Sequence, residues 1–243
     1  MASTYTTNLG IEKIGTGEQS GTWGGTTNTN WDLTDEAING IISVTLSSAG
    51  SSGSPTALPI TDGASSNGRN KFIEFVDGGD LGGTAYVQLT PNDAEKIVFF
   101  RNSLTSSRSV IVFQGNYSAS NDFEIPNGKD IALKFNGAGT GATVTQLFVD
   151  LTVDGMTVGT GVAADTKIVY DGNAKDFYVG LDDSADKLVI GEGSTVGTNS
   201  ILTLDDDSVT VGDGAAVDTK VVFDGNAQDY YIGLDDSADD LVI

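Results

Sequence analysis

Apolar and polar residues alternate along this chain mostly in short runs, and one stretch carries a helical period. Between residues 71 and 149 the runs are "KFIEFV", "TAYVQL", "KIVFF", "SVIVFQ", "DIALKF" and "TVTQLFV". Turn compositions such as "DGGDLGG", "IPNGKD" and "NGAGTGA" separate them. Phe72, Glu74 and Val76 oppose Ile73 and Phe75, and Ile131, Leu133 and Phe135 oppose Ala132 and Lys134. Alternation with period two marks a half-buried strand. Six such runs predict a small β-sandwich-like or barrel-like domain over 71–153. The helical stretch is "NWDLTDEAINGII", predicting a helix over residues 31–42. Asn30 is its expected N-cap, with Asp32, Asp35 and Glu36 early in the helix, where the dipole favours anions. Trp31, Ile38, Ile41 and Ile42 fall on one face, and Gly40 weakens the end. One short amphipathic helix is marginal alone and needs a partner surface.

Upstream of the helix, "IEKIGTGEQSGTWGGTTNTN" is polar and glycine-spaced, which predicts an extended N-terminal segment within a module over 1–46. The Ser/Gly-rich stretch 47–70 reads as a linker, although Leu58, Pro59 and Ile60 could pin its middle.

From residue 154 onward the chain repeats itself. Residues 165–190 and 218–243 are identical at 20 of 26 positions, at an offset of 53. Four of the six differences exchange like for like: Ile168/Val221, Tyr170/Phe223, Phe177/Tyr230 and Val179/Ile232. Only Lys175/Gln228 and Lys187/Asp240 change character. Drift that stays apolar points to packing at those eight positions. A unit this thin cannot bury enough surface alone, so it must stack on copies of itself or wind against identical chains. The fold class expected is therefore mainly β, with an acidic repetitive β stalk over 154–243 and a homotrimer as its assembly. The repeats could coil as a triple-stranded β helix or follow one another as small β domains. The second copy stops at Ile243 in the register of Ile190, and the expectation is that the natural polypeptide continues.

Composition narrows the chemistry. The net charge is −22, with 20 of the 34 acids but only 4 of the 12 basic residues lying from Asp150 onward. An acidic chain without a basic stripe repels phosphate backbones, which argues against nucleic-acid binding. Surface acids also keep a β protein soluble and its edges apart. With no Cys and no His, disulfides, thiol nucleophiles, Ser-His-Asp and Cys-His sites are excluded, along with the commonest metal ligand. No apolar run of membrane-spanning length occurs, and the start lacks a signal-peptide pattern, so synthesis in a cytoplasm without membrane insertion is expected. Nucleotide-binding glycine motifs are absent. The acids of "DGNAKD" and "LDDSAD" could chelate Ca²⁺, but their spacing is not that of an EF-hand, and strand-capping turns are the competing reading. A glycosidase pair needs a sheltered carboxyl, whereas these acids stand in glycine-rich turns. No catalytic, metal or cofactor residue is therefore assigned.

Three segments carry a resemblance. "TTNLGIEKIGTGEQSGTWGGTTNTNWDLTDEAINGI" resembles the amino-terminal module of tail fibres of tailed bacteriophages, marine and cyanobacterial phages in particular. "IPNGKDIALKFNGAGTGATVTQLFVDL" is similar to a β domain that often follows it, and "VFDGNAQDYYIGLDDSADDLVI" to stalk repeats of such proteins. The resemblance implies a homotrimeric virion protein, anchored to a tail, adaptor or baseplate protein by its N-terminus and carrying host-receptor recognition at a distal end. Trp23, Asn28, Asn30, Trp31, Ile38 and Ile41 are the expected attachment residues. Ile168, Tyr170, Phe177, Val179, Val221, Phe223, Tyr230 and Ile232 are the expected trimer and stalk packing residues. Two other readings stand beside this one. Residues 71–153 could bind a glycan receptor, or a depolymerase domain could lie beyond residue 243.

Overall fold

The computed structural model describes residues 2–149 and 152–243. Met1, Asp150 and Leu151, which fall at the edges of the sections drawn from the sequence, lie outside the described residues. The fold is mainly β, and the chain divides into two compact units, 1–151 and 152–243.

The first unit opens with a two-stranded ribbon, β1 (Thr4–Tyr5) and β2 (Glu12–Lys13), and a helix, α1 (Trp23–Asn39). Strands β3 (Ile41–Leu46), β4 (Thr56–Pro59), β5 (Phe72–Asp77), β6 (Ala85–Thr90), β7 (Glu95–Asn102) and β8 (Val110–Gln114) follow. They alternate between two sheets. β3, β5 and β7 pair in parallel in one sheet, and β4, β6 and β8 pair in parallel in the other. The path is thus three stacked rungs rather than a series of hairpins. Three antiparallel strands finish it: β9 (Phe123–Ile125) on β8, β10 (Asp130–Asn136) on β7, and β11 (Val144–Gln146) on β10.

One apolar cluster lies between the sheets, and it draws on alternate residues of nearly every strand. Phe75 stacks on Phe100 at 5.3 Å, and Phe135 meets Phe100 edge-on at 6.2 Å. Turns are stapled by buried amides whose hydrogen-bonding groups are satisfied, as burial requires. Asn102 donates to the Arg108 and Ile125 carbonyls, both at 2.9 Å, and accepts from the Leu104 N–H at 3.1 Å. Gln114 does the same for Pro91, Ala94 and Gly137.

Several sequence expectations are corrected here. The N-terminal segment is a ribbon fastened to the rest of its unit, not an extended arm. Asn8 accepts the Glu95 N–H at 2.9 Å, and the Gly63 N–H donates to the Gly10 carbonyl at 2.8 Å. The stretch 47–70 is not a linker: it supplies β4, and Leu58, Ile60 and Arg69 are buried within the first unit. A module boundary at residue 46 is ruled out because β3 pairs along its whole length with β5. The helix starts eight residues earlier than expected and stops at Asn39, so Asn30 lies in mid-helix, Thr22 holds the N-cap position and Ile41 belongs to β3. Gly40 is the reason for the stop. Its N–H closes the last turn on the Glu36 carbonyl, its ψ of 132° sends the chain into β3, and a Cβ there would collide with Glu36 and Asn70.

The second unit holds two meanders. β12 (Thr166–Tyr170), β13 (Phe177–Asp182), β14 (Lys187–Glu192), β15 (Ser200–Leu204) and β16 (Val209–Val211) form one antiparallel sheet. β17 (Thr219–Phe223), β18 (Tyr230–Asp235) and β19 (Asp240–Val242) form the other. β12 to β14 and β17 to β19 are the two copies of the repeat.

Candidate functional site: two apolar surfaces

The helix carries most of its large apolar residues on its exposed side. Leu33 is its buried residue, while Trp23 and Trp31 are 62 % and 68 % exposed and Ile38 is exposed as well. Ile41, at the start of β3, is 78 % exposed, and Asn28 is also exposed. The inward face is held by polar contacts instead. Asn30, expected at the attachment surface, mimics a strand toward the ribbon: its Oδ1 accepts the Glu12 N–H at 3.0 Å and its Nδ2 donates to the Glu12 carbonyl at 2.9 Å. Glu36 accepts from the Ser66 N–H and from Asn70 Nδ2, each at 3.1 Å, and stands 3.7 Å from Arg69.

That anchor is electrostatically tense. Arg69 is fully buried and donates to the Thr61 and Ala64 carbonyls, while its Nε and Nη1 have no hydrogen-bond partner. Burial, joined by repulsion from Lys71 and Arg69, pushes the nearby Lys96 ammonium down to about 8. Burial also lowers the Arg69 pKa, opposed by Glu36 and then Asp62, and Glu36 opposes the Lys96 shift as well.

The second surface belongs to the repeats. In an antiparallel ladder, residues directly opposite share a face. Ile168 pairs with Val179 and Tyr170 with Phe177; 53 positions on, Val221 pairs with Ile232 and Phe223 with Tyr230. All eight expected packing residues therefore lie on matching faces. The row extends through Leu181 and Leu188 in the first copy and through Leu234 and Leu241 in the second. Most of these side chains are exposed. A groove of about 350 Å³ runs along the second face, lined by Val211, Val217, Val221, Ile232, Leu234 and Leu241 among others. Contiguous apolar patches of this kind mark association surfaces.

The acids of the repeats are engaged in their turns. Asp182 accepts the Ser184 hydroxyl at 2.7 Å and the Ala185 N–H at 3.1 Å; Asp235 accepts from Ser237 and Ala238 at the same two distances. Asp165 and Asp218 receive the N–H of Asp183 and Asp236, and Asp176 and Asp229 that of Gly172 and Gly225. These bonds hold Asp182 and Asp235 below the usual carboxylate range. Among the described residues, no group of three metal-ligating side chains converges, and no helix is long and apolar enough to cross a membrane.

Sequence reasoning missed two features. It placed Asn30 outward, and it passed over Tyr178, which is fully buried beneath the opposite face of the first repeat sheet. The signal for Tyr178 was its identity in both copies, since an unchanged aromatic in a drifting repeat marks a tight environment. No protein-family model, no curated protein and no solved structure matches this chain.

Proposed function

We propose that this chain is a structural subunit of a tailed-phage virion, a tail-fibre protein that acts by adhesion and mechanics rather than by catalysis. The observation that carries this reading is the apolar face repeated in register in both copies, Ile168, Val179, Tyr170 and Phe177 against Val221, Ile232, Phe223 and Tyr230. A monomer would leave that face in water at a cost of about 25 cal/mol per Å² of apolar surface. Three identical chains meeting around an axis cover it and build a shaft, with the acidic turns facing solvent.

The first unit is then the end that attaches. Its helix presents Trp23, Trp31 and Ile38 outward, and indoles exposed on a rigid element make interface anchors. Tail, adaptor or baseplate protein is the partner, and the host receptor is met beyond the shaft. Light scattering on the purified chain tests the reading: a well-folded particle of three subunits is expected, and a folded monomer would sink it.

A further inference from the structure

Cations crowd the anchor beneath α1. Lys96 shares the inward face of β7 with Val98 and Phe100, and its amine donates to the Arg69 carbonyl at 2.6 Å. The Arg69 guanidinium is fully buried, and its Nε and Nη1 make no hydrogen bond. Glu36, on the last turn of α1, is the carboxylate that attracts Lys96, while Lys71 and Arg69, on either side of Asn70, repel it. Asp62, in the loop after β4, attracts Arg69. Glu95 and, from the paired strand β10, Lys134 line the same surface cavity of about 330 Å³ as Lys96, which gives the amine a path for proton exchange.

Glu36 also fastens the helix. It accepts from the Ser66 N–H and from Asn70 Nδ2 and stands 3.7 Å from Arg69. One carboxylate therefore both faces the buried cations and ties the C-terminal end of α1 to its unit.

We propose that Lys96 is a protonation latch on α1. With the amine neutral, Glu36 serves Arg69 and the helix is held firmly. With the ammonium formed, a second cation is buried against Arg69 and the docked helix is held more weakly. Burial first, then repulsion from Lys71 and Arg69, brings the amine from 10.5 down to about 8 while the helix is docked, and exposure to water would return it toward its ordinary value. A group depressed in this way contributes stability above its ordinary pKa, and that stability is lost as pH falls through about 8. The anchor thus tightens in mildly alkaline solution and loosens below it. The latch sets how firmly the face bearing Trp23, Trp31 and Ile38 is presented, and it stands whether or not that face meets a virion partner.

Pulsed hydrogen exchange on the full chain tests it, with α1 protection at each pH corrected for the intrinsic exchange rate. Protection is expected to rise about tenfold between about pH 7.5 and about pH 9.5. In K96M, whose side chain is uncharged at every pH, protection is expected to stay level over that range. A second measurement needs no variant: the carbon NMR resonance of Lys96 Cε in the wild-type chain should titrate at about 8. Level protection in the wild-type chain, the same rise in K96M, or titration of Lys96 at its ordinary pH overturns the inference.

Discussion

The two repeats share 20 of 26 residues and the same strand pairings, and the small core of the first is completed by residues 193–199, which lie beyond the 26 positions that the two copies can be compared over. Where residues 193–199 close over Tyr178, a ring, two valines and a hydroxyl become a small interior; in the second copy the same ring stands half in water. In the first copy, then, the interior beneath the sheet depends on the loop laid across it. Two sites change character between the copies: Lys175 pairs with Glu192 at 2.8 Å and Lys187 with Asp205 at 3.0 Å, and the second copy carries Gln228 and Asp240 at those places.

The sharpest test of that contrast is truncation of the two tyrosines. Tyr178→Ala should cost about 3–5 kcal/mol, as buried aromatics do. Tyr231→Ala should cost under about 1 kcal/mol, as exposed positions do. Hydrogen exchange of the β13–β14 and β18–β19 amides would separate the two, and equal losses would break the comparison. Next in size is the apolar face on which the copies agree. On the proposed trimer, Ile168→Asp and Val221→Asp should each shift the particle toward smaller species by light scattering, because a charge would then be buried between chains. If only one does so, the faces are not equivalent.

A smaller effect is expected from acid. The Lys187 hydrogen bond, aided by the Asp206 N–H, holds the Asp205 carboxyl below its ordinary value. A depressed carboxyl contributes stability above its unfolded pKa, and that stability is lost as pH falls through the folded value. In the K187D variant, with the residue found in the second copy, the Asp205 titration followed by carboxyl NMR should move upward while that of Asp235 stays put. The smallest change is Lys175→Gln, which removes an exposed ion pair worth about 0.2–1 kcal/mol. Urea midpoints should barely move, and a large shift would mean that Glu192 matters to the loop in another way.

Much of the fold was legible as alternation, and the failures have physical causes. All six runs between residues 71 and 149 overlie strands, because one face of each sheet is buried and period two is then obligatory. β3 was hidden by the helix before it: Ile38, Ile41 and Ile42 continue a helical period across Gly40, although Ile42, Val44 and Leu46 also alternate as a strand. β4 was masked by its Ser/Gly-rich surroundings, where Leu58 and Ile60 were the only signal. Parallel pairing was invisible because turn residues look alike whether the chain returns to the same sheet or crosses to the other.

The candidate surfaces divide in the same way. The eight repeat positions could be read because the duplication compares the sequence with itself. The inward turn of Asn30 could not be read, because α1 is held to its unit by Asn30 and Glu36 rather than by leucines. Residues 23–30, with two glycines in the first turn, have poor helical propensity and depend on those contacts.

The rung path of the first unit carries a kinetic consequence. Ile41 pairs with Phe72 and Phe72 with Phe99, so each rung waits some thirty residues for its neighbour to be synthesised. At about 5–20 residues per second the wait lasts seconds, longer than helix or hairpin formation takes by many orders of magnitude. Synthesis is thus slow enough for each new rung to template on the last. The strands that arrive last, β9 to β11, close a stack whose growing edge had until then been open.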